Sequence, residues 1–416
     1  MLFAGGALRS GPGPRRWQQR GQFFSQSKVF WLIICMIVLL FSNCCTYWFA
    51  VRGERGSGGG GADRWLGLTT ADTDICTWDT SFRPLSGQEW IDVPILPISH
   101  PLLPPKSTTT TPLRVYATKR PAGSYALFPE FWDSVINGMW EPDTFRLIRA
   151  VHLARPNGIH LDIGAWVGPT ALFAAHFAAR VVALEPDPRA FSELLANIQL
   201  NPSIASRARV FRHCLGAKTG PVVMEGPLPL GSSMSRVTGS GSGVRIPSRD
   251  SAEKDWPVAR ASWPAMCSTP MEFAAKTGLN PDAITLIKVD VEGAEAELLI
   301  VLAEWIFRDA ATASTTKTVP PTRRPSLLVE LHRGMWLNPS AASAAIRKAL
   351  SSWKYVYRSR AGAKRLQNGL SRFTLFFPES EDTCAEEYCT IFATDEPFDW
   401  TDAGGILGKA GFIINE

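Results

Sequence analysis

The segment LDIGAWVG at residues 161–168 combines an apolar run with an acidic residue and two spaced glycines. Gly164 and Gly168 would let the backbone approach a bound group closely, because glycine has no Cβ. Pro169 suits the first turn of a helix, whose unpaired N–H groups would face a negative ligand. We therefore predict a strand, a ligand-binding turn and a helix, with the turn formed by Asp162, Gly164, Ala165 and Gly168.

A second carboxylate, Glu185, lies 23 positions beyond Asp162 and follows the apolar run 181–184. In α/β units, a carboxylate about 20 residues past a glycine turn accepts hydrogen bonds from ribose hydroxyls. The turn departs from G-x-G-x-x-G, so a smaller nucleoside ligand fits it better than a dinucleotide. The sequence thus predicts nucleoside binding near Glu185 and Pro186, and a glycine turn without a ligand is the alternative.

Polar residues also end two later apolar runs. Asp290 and Glu292 follow residues 284–289, and Glu330 and His332 end the run 327–331. Ligands of open α/β sheets bind at the carboxyl ends of the strands, so these side chains could converge on one crevice. Transfer of a group to a hydroxyl needs a base within hydrogen-bond reach. We predict that the reacting groups are Asp290 and His332 as base candidates, with Lys288 and Glu292 beside them.

Two other roles are open for these acidic residues. Asp290, Glu330 and His332 could together hold a divalent metal against a vicinal diol, although we expect no metal. Acidic residues near 292–295 could instead stabilise the first turn of a helix through its dipole. We favour that role for Glu295 but not for Asp290.

Four blocks of sequence together resemble the FkbM-type methyltransferases. They are Gly138-Met139-Trp140-Glu141-Pro142, Asp162-Ile163-Gly164-Ala165, Glu185-Pro186 and the run from Ile287 to Glu295. The resemblance covers roughly residues 125–380 and implies S-adenosylmethionine as the cofactor. It also implies the class I methyltransferase fold, a Rossmann-like α/β domain. Its seven-stranded sheet is mostly parallel, with the last strand antiparallel and helices on both faces.

The resemblance places Cys214 and Leu215 at the edge of the adenine, although Cys214 could instead be an inert buried thiol. Glu141, in the segment Trp140-Glu141-Pro142, either closes over the methionine end of the ligand or belongs to the core. Trp166 departs from the family, which usually has a smaller or polar residue there.

Alternating strand-like and helix-like runs support parallel β-α units. The predicted strands are 159–163, 181–184, 209–213, 284–289, 327–331, 353–358 and 371–377, the last at an antiparallel edge. Two low-complexity insertions, 226–268 and 310–325, are predicted to be disordered. The alternative for such a long loop is a functional lid.

Residues 29–51 form an uncharged run of 23 residues, long enough to span a bilayer. The preceding residues 1–28 carry five basic residues and no acidic one, which predicts a cytosolic N-terminus and a type II anchor. A Gly-, Pro-, Ser- and Thr-rich stem at 52–112 would then carry the methyltransferase domain at 113–416. A cleavable signal peptide and an organelle transit peptide are the alternatives.

Charge argues against nucleic acid as a partner. The chain has 43 Lys and Arg against 38 Asp and Glu, and the five basic residues of 1–28 account for the whole net charge of +5. A nucleic-acid methyltransferase would need a basic face to neutralise phosphates. Cys384 and Cys389 are the best predicted disulfide pair for an oxidising lumen.

Together these features predict a single-pass type II membrane protein, in the Golgi or another secretory membrane, with another organelle membrane as the alternative. Its predicted activity is S-adenosylmethionine-dependent O-methylation of a sugar hydroxyl on a glycan or glycoconjugate. The alternatives are a lipid or small-molecule hydroxyl as acceptor, a non-catalytic cofactor-binding scaffold on the membrane, and a Rossmann oxidoreductase.

Overall fold

The computed structural model describes residues 88–93, 113–118, 129–136, 140–227, 231, 233–238, 260–308, 324–360, 372–375, 384 and 388–398. The predicted N-terminus and anchor, most of the stem, and most of the insertion 310–325 lie outside these residues. In the described part of the chain, no helix is long and apolar enough to cross a bilayer. The anchor and its topology therefore stay predictions.

The described residues contain strands and helices in alternation. The strands are β1 (Gln88–Val93), β2 (Leu113–Thr118), β3 (Ile159–Ile163), β4 (Arg180–Leu184), β5 (Ala208–Phe211), β6 (Cys214–Leu215), β7 (Gly220–Pro227), β8 (Arg236–Thr238), β9 (Arg260–Ser268), β10 (Ile284–Val289), β11 (Ser326–His332), β12 (Tyr355–Arg360), β13 (Arg372–Leu375) and β14 (Tyr388–Thr394). The helices are α1 (Pro129–Ile136), α2 (Pro142–Ala154), α3 (Pro169–Ala174), α4 (Pro188–Gln199), α5 (Pro202–Ala205), α6 (Pro270–Thr277), α7 (Glu295–Phe307) and α8 (Pro339–Leu350).

The main sheet has eight strands in the order β13-β12-β14-β11-β10-β3-β4-β5. β5, β4, β3, β10 and β11 are mutually parallel, whereas β14 runs antiparallel to both β11 and β12. This confirms the predicted α/β domain with a parallel-rich sheet. The predicted strand at 371–377 is present as β13, antiparallel to β12 at the edge.

The predicted count of seven strands is wrong because β14 was not predicted. This strand comes last in the described sequence, yet it inserts between β11 and β12, and its residues from 391 to 394 are buried. A short strand that follows an acidic, cysteine-containing stretch gives a weak sequence signal. Its central place in the sheet is a tertiary property.

The central strands are apolar because helices cover both faces of the sheet. Every residue of β3 and of β10 is buried. Successive side chains of a strand point to opposite faces, so Ile287 and Val289 pack in one hydrophobic cluster and Leu286 in the other. Continuous burial of this kind is typical of parallel strands. It also makes the polar side chains Asp162 and Lys288 conspicuous in the middle of the sheet.

A second sheet of four strands, β6-β9-β7-β8, stands beside the main one. β8 and β9 lie within 226–268, so the prediction that this insertion is disordered is wrong for the parts that form these two strands. β9 pairs antiparallel with β7 along eight residue pairs, from Gly220↔Cys267 to Pro227↔Arg260. Pairing with β7 therefore orders β9, although the composition of this stretch alone suggests a loop.

Two disulfides join described residues. Cys384 and Cys389 form the predicted pair, and Cys214 is bonded to Cys267. The reading of Cys214 as an inert thiol is therefore wrong. Cys214 and Cys267 are register partners in the β6–β9 pair, which the sequence did not reveal because β9 was not predicted.

Residues 88–93 were assigned to the flexible stem, but they form β1, which pairs antiparallel with β2. β2 is held in turn by two buried asparagines near the end of α4. Asn201 accepts a hydrogen bond from the N–H of Arg114 at 2.9 Å and donates one to its carbonyl at 2.8 Å. Asn197 accepts one from the N–H of Tyr116 at 2.7 Å. Side-chain amides thus replace a neighbouring strand.

We expect Asn201→Ala to lower the free energy of unfolding by about 1–3 kcal/mol, because it removes both hydrogen bonds between the Asn201 amide and the backbone of Arg114. Urea denaturation monitored by circular dichroism measures this. Asn280→Ala is the matched control, since Asn280 makes one exposed hydrogen bond to the N–H of Asp282 at 3.0 Å. Equal losses from the two variants would contradict the anchoring role of Asn201.

Candidate active site

A cavity of about 350 Å³ opens at the carboxyl ends of β3, β4, β10 and β11. This is the edge of an open α/β sheet where ligands bind. Of the fourteen residues predicted for cofactor, catalysis or metal, all but Asp162 and Gly168 line it. The lining ones are Glu141, Gly164, Ala165, Glu185, Pro186, Cys214, Leu215, Lys288, Asp290, Glu292, Glu330 and His332.

The turn after β3 is built by backbone conformations that favour glycine. Gly164 has φ +81° and Gly168 has φ +96°. A Cβ at Gly164 would lie 1.8 Å from the carbonyl oxygen of Asp290, and one at Gly168 would lie 2.6 Å from Leu194 Cδ1. The glycine at 164 therefore lets β3 and β10 end side by side, and Gly168 lets α3 pack against α4.

Asp162 lies behind this turn and is completely buried. Its Oδ2 accepts a hydrogen bond from the Thr170 hydroxyl at 2.6 Å, and its Oδ1 lies 3.8 Å from Lys288 Nζ. Burial raises its pKa, and the nearby Lys288 opposes that rise. Asp162 thus positions the start of α3 and the Lys288 ammonium, whereas the prediction had it bind the ligand directly.

Glu185 lines the cavity at the end of β4, and both of its carboxylate oxygens accept backbone hydrogen bonds. Oε2 binds the N–H of Trp166 at 2.9 Å, and Oε1 binds the N–H of Asp187 at 2.7 Å. Burial, followed by the charge of Asp187, raises the pKa of Glu185 to about 8. A carboxyl group held in this way can still pair with the hydroxyl groups of a ligand, since each oxygen has further lone-pair capacity.

Lys288 and Asp290 form an ion pair at the end of β10, with Nζ and Oδ2 3.2 Å apart. Burial lowers the pKa of Lys288, but the carboxylates of Asp290, Asp162, Glu141 and Glu330 outweigh burial and raise it. Burial raises the pKa of Asp290, but Lys288 and then His332 outweigh it and hold the pKa below its usual value. Asp290 is therefore ionised, and its Oδ1 has no hydrogen-bond partner among the residues that the structure describes.

His332 is oriented by a buried carboxylate. Its Nδ1 lies 2.8 Å from Glu295 Oε1, and its Nε2 lies 3.6 Å from Glu292 Oε2 and 3.9 Å from Asp290 Oδ1. Burial lowers the pKa of His332, but the bond to Glu295 and the charges of Glu292, Glu295 and Asp290 raise it well above its usual range. A histidine that is already protonated is a poor general base, so Asp290 is the better of the two predicted candidates.

Glu295 has a larger role than the predicted helix capping. Its Oε1 does accept the N–H of Gly293 at 2.8 Å, just ahead of α7. The same carboxylate also binds His332 and accepts the Trp336 indole N–H at 2.9 Å through Oε2. Glu295 is fully buried and fixes the imidazole at the cavity wall.

Glu141 and Glu330 are neighbours at the cavity wall, where one carboxylate oxygen of each and one of Asp290 lie within 4.8 Å of one another. Burial, followed by the charge of Glu330, raises the pKa of Glu141 well above its usual range. Burial and then Asp290 raise the pKa of Glu330. Carboxyl groups this close are costly to ionise together. Glu141 thus lies beside the catalytic candidates, and its predicted contact with the cofactor stays a prediction.

The predicted metal trio is divided between two groups of ligand atoms. Asp290, Glu292 and His332 form one, and Glu141, Asp290 and Glu330 form the other, each with atoms within 4.8 Å of one another. The second set consists of carboxylate oxygens, which suit Mg²⁺, whereas the first includes the imidazole of His332, which would have to lose a proton to bind a metal. Glu292, whose pKa burial raises to about 8, would have to lose its proton to take part.

Sequence reasoning missed several residues that line the cavity. They are Phe131, Trp166, His213, Met224, Ser233, Ser235 and Val237, together with Gly231. Gly231 and residues 233–238, here called the inserted segment, belong to the insertion that was predicted to be disordered. No local pattern in that insertion marks them as ligand contacts.

No protein-family model matches the chain, and no curated protein matches it. The FkbM resemblance therefore stays a prediction. Among solved structures, the S-adenosylmethionine-dependent methyltransferase of Agrobacterium tumefaciens is 11% identical with a TM-score of 0.34, over 79% of this chain and 76% of that one.

Two further solved structures are similar at the same low level. The O-methyltransferase of Bacillus cereus, in complex with SAH, is 10% identical with a TM-score of 0.31, over 61% of this chain and 82% of that one. The precorrin-6y C5,15-methyltransferase of Geobacter metallireducens is 10% identical with a TM-score of 0.28, over 60% of this chain and 86% of that one. Identities and TM-scores this low leave the function to be inferred from the chain's own residues.

We expect Gly164→Ala to destabilise the protein by about 2 kcal/mol or more, because the added methyl group meets the Asp290 carbonyl and an alanine resists the positive φ. Thermal unfolding measures the loss. Gly334→Ala is the matched control, since a Cβ at Gly334 meets no atom within 4 Å. Equal losses of thermal stability from the two alanine variants would contradict the close approach of β3 to β10 at Gly164.

Glu185 should make stability depend on pH. Its pKa rises from 4.5 to about 8 on folding, so the folded protein binds this proton more tightly than the unfolded chain. Its contribution is fully present below about pH 4.5 and is lost as the pH rises through 8. We expect Glu185→Gln to flatten the fall of the urea midpoint between pH 5 and 8.

Glu304→Gln, at an exposed position on α7, is the control for the lost charge. Parallel curves of the urea midpoint against pH for wild type and Glu185→Gln would contradict the buried, protonated state of Glu185.

Proposed function

We propose that this chain is an S-adenosylmethionine-dependent methyltransferase that methylates a hydroxyl group. The observation that carries the proposal is a single cavity with a hydroxyl-binding carboxyl group, Glu185, at one wall and an ionised carboxylate with a free oxygen, Asp290, at another. Gly164, at the turn between them, lets β3 and β10 end side by side, because a Cβ there would lie 1.8 Å from the Asp290 carbonyl oxygen. When bound there, S-adenosylmethionine supplies an electrophilic methyl group.

The protein's own contribution is alignment and proton removal. Glu185 accepts hydrogen bonds from ribose hydroxyls and so sets the position of the nucleoside. Asp290 Oδ1 accepts the proton of the acceptor hydroxyl as that oxygen attacks, while Lys288 holds Oδ2 in place. Protonated His332, fixed by Glu295, stabilises the negative charge that Asp290 and the acceptor oxygen share.

The acceptor wall favours an uncharged, hydroxyl-rich substrate. Four carboxyl groups, Glu141, Asp290, Glu292 and Glu330, face two cationic groups, Lys288 and His332. The ionised carboxylate of Asp290 would repel a phosphate, sulfate or carboxylate placed against its Oδ1. A sugar hydroxyl of a glycan or glycoconjugate fits this chemistry, and a lipid or small-molecule hydroxyl is the alternative.

We further propose that the domain acts in the lumen of the Golgi or another secretory compartment, held by the predicted anchor at residues 29–51. Two disulfides between described residues support this, because disulfides persist in oxidising compartments and are rare in the cytosol. The anchor would favour an acceptor close to the membrane.

Calorimetric titration of the full-length chain in detergent tests the cofactor. We expect saturable binding of S-adenosylmethionine and none of NAD. Asp290→Asn should leave this affinity nearly unchanged and lower turnover about 100-fold or more, because the amide cannot take the hydroxyl proton. Turnover is measured as S-adenosylhomocysteine released in a screen of neutral glycans, with and without Mg²⁺.

Binding of NAD alone would identify an oxidoreductase, and binding of neither ligand would favour a scaffold. A variant Asp290→Asn that turns over like wild type would refute the assignment of the base. A requirement for Mg²⁺ would instead give Asp290 a ligand role.

A further inference from the structure

The inserted segment forms one wall of the cavity beside Glu185. It contributes Gly231, Ser233, Ser235 and Val237 to the lining, and its strand β8 pairs with β7, where Met224 also faces the cavity. The proposed reaction gives these residues no role.

Trp166 ties the cofactor turn to the inserted segment. Its indole N–H donates a hydrogen bond to the Gly231 carbonyl at 2.7 Å, and its backbone N–H binds Glu185 at 2.9 Å. The residue has φ +49°, a left-handed conformation that is unfavourable for a bulky side chain. Such backbone strain persists where surrounding contacts hold the residue in place. The hydrogen bond from the Trp166 indole to Gly231 is one of these contacts.

Asp187 is the second tie between the same parts. This fully buried carboxylate accepts hydrogen bonds through Oδ2 from the Gly231 N–H at 3.2 Å and the Ser235 hydroxyl at 2.9 Å. Through Oδ1 it caps α4, at 2.7 Å from the N–H of Arg189 and 3.0 Å from that of Ala190. Its own N–H binds Glu185. One residue therefore joins the inserted segment, the helix and the nucleoside-binding carboxyl group.

Gly231 is suited to its place between these ties. It has φ +99°, and a Cβ there would lie 2.8 Å from Arg189 Cγ. Both its carbonyl and its N–H are bound, the first by Trp166 and the second by Asp187. The peptide groups on either side of Gly231 are thus fixed at the edge of the cavity.

We propose that the inserted segment is the wall that recognises the nucleoside end of the cofactor, and that Trp166 and Asp187 are the positioning residues that hold it against Glu185. The proposal rests on the proposed function, which places the ribose at Glu185. The wall offers serine hydroxyls and apolar surface from Val237 and Met224, which suits a polar ribose joined to an adenine ring. Affinity for the adenosyl group therefore depends on a contact between two distant parts of the sequence.

The test is Trp166→Phe, which keeps an aromatic ring and removes the indole N–H together with the second ring. Calorimetry on the full-length chain measures the affinity for S-adenosylhomocysteine and for methylthioadenosine, which lacks the amino acid end. We expect both affinities to fall by the same factor, about threefold to tenfold, as the loss of one hydrogen bond predicts.

Trp353→Phe is the matched control, because its buried indole also donates to a backbone carbonyl, that of Pro325 at 3.1 Å, away from the cavity. We expect a similar loss of the urea midpoint from both variants and unchanged ligand affinity in Trp353→Phe. A merely structural role of Trp166 would make the two variants alike in binding as well.

Unchanged affinities in Trp166→Phe would overturn the proposal, and so would a loss confined to S-adenosylhomocysteine. Ser235→Ala, which removes one donor to Asp187, is expected to weaken both ligands equally and keeps the test decisive if Trp166→Phe does not fold. A wild-type chain that binds neither ligand would refute the proposed function and this proposal together. That result differs from selective failure of the variants.

Discussion

One buried ammonium group, that of Lys288, holds the site together. It projects from the central strand β10, directly opposite Asp162 in the neighbouring strand β3. Around it lie Asp162, Asp290, Glu141 and Glu330, which raise its pKa in spite of burial. Uncompensated carboxylates are costly to bury, so the sheet can end in this acidic cluster only because a cation is built into it. The apolar interior of the parallel sheet makes that pairing strong.

The same low-dielectric surroundings give chemically similar groups different states. Asp290 is ionised because Lys288 and His332 oppose its burial, whereas Glu185 and Glu292 keep protons to about pH 8 because burial dominates. Environment therefore separates one ionised carboxylate from carboxyl groups that keep their protons. The identity of each residue alone would not separate these roles.

Much of the site could be predicted from local spacing. Gly164, Glu185 and Asp290 were found because each belongs to a local pattern of only a few residues. These patterns are a glycine turn, a carboxylate after a strand and an acidic strand end. β14 and the β6–β9 pair could not be predicted, since their positions depend on pairing between segments far apart in sequence. The low-complexity composition of 226–268 concealed the inserted segment in the same way. The roles of His332 and Glu295 also needed three-dimensional information, because each is set by the other.

The bond between Cys214 and Cys267 joins the adjacent strands β6 and β9, with Cys214 at the cavity and the inserted segment lying between the two cysteines in sequence. Its 53-residue separation means that the second sulfur leaves the ribosome well after the first. The other disulfide, between Cys384 and Cys389, spans only five residues of sequence, so the two bridges constrain the chain over very different distances. The inserted segment, which contributes to the cavity wall, thus lies within a covalent loop whose closing bond persists in oxidising compartments.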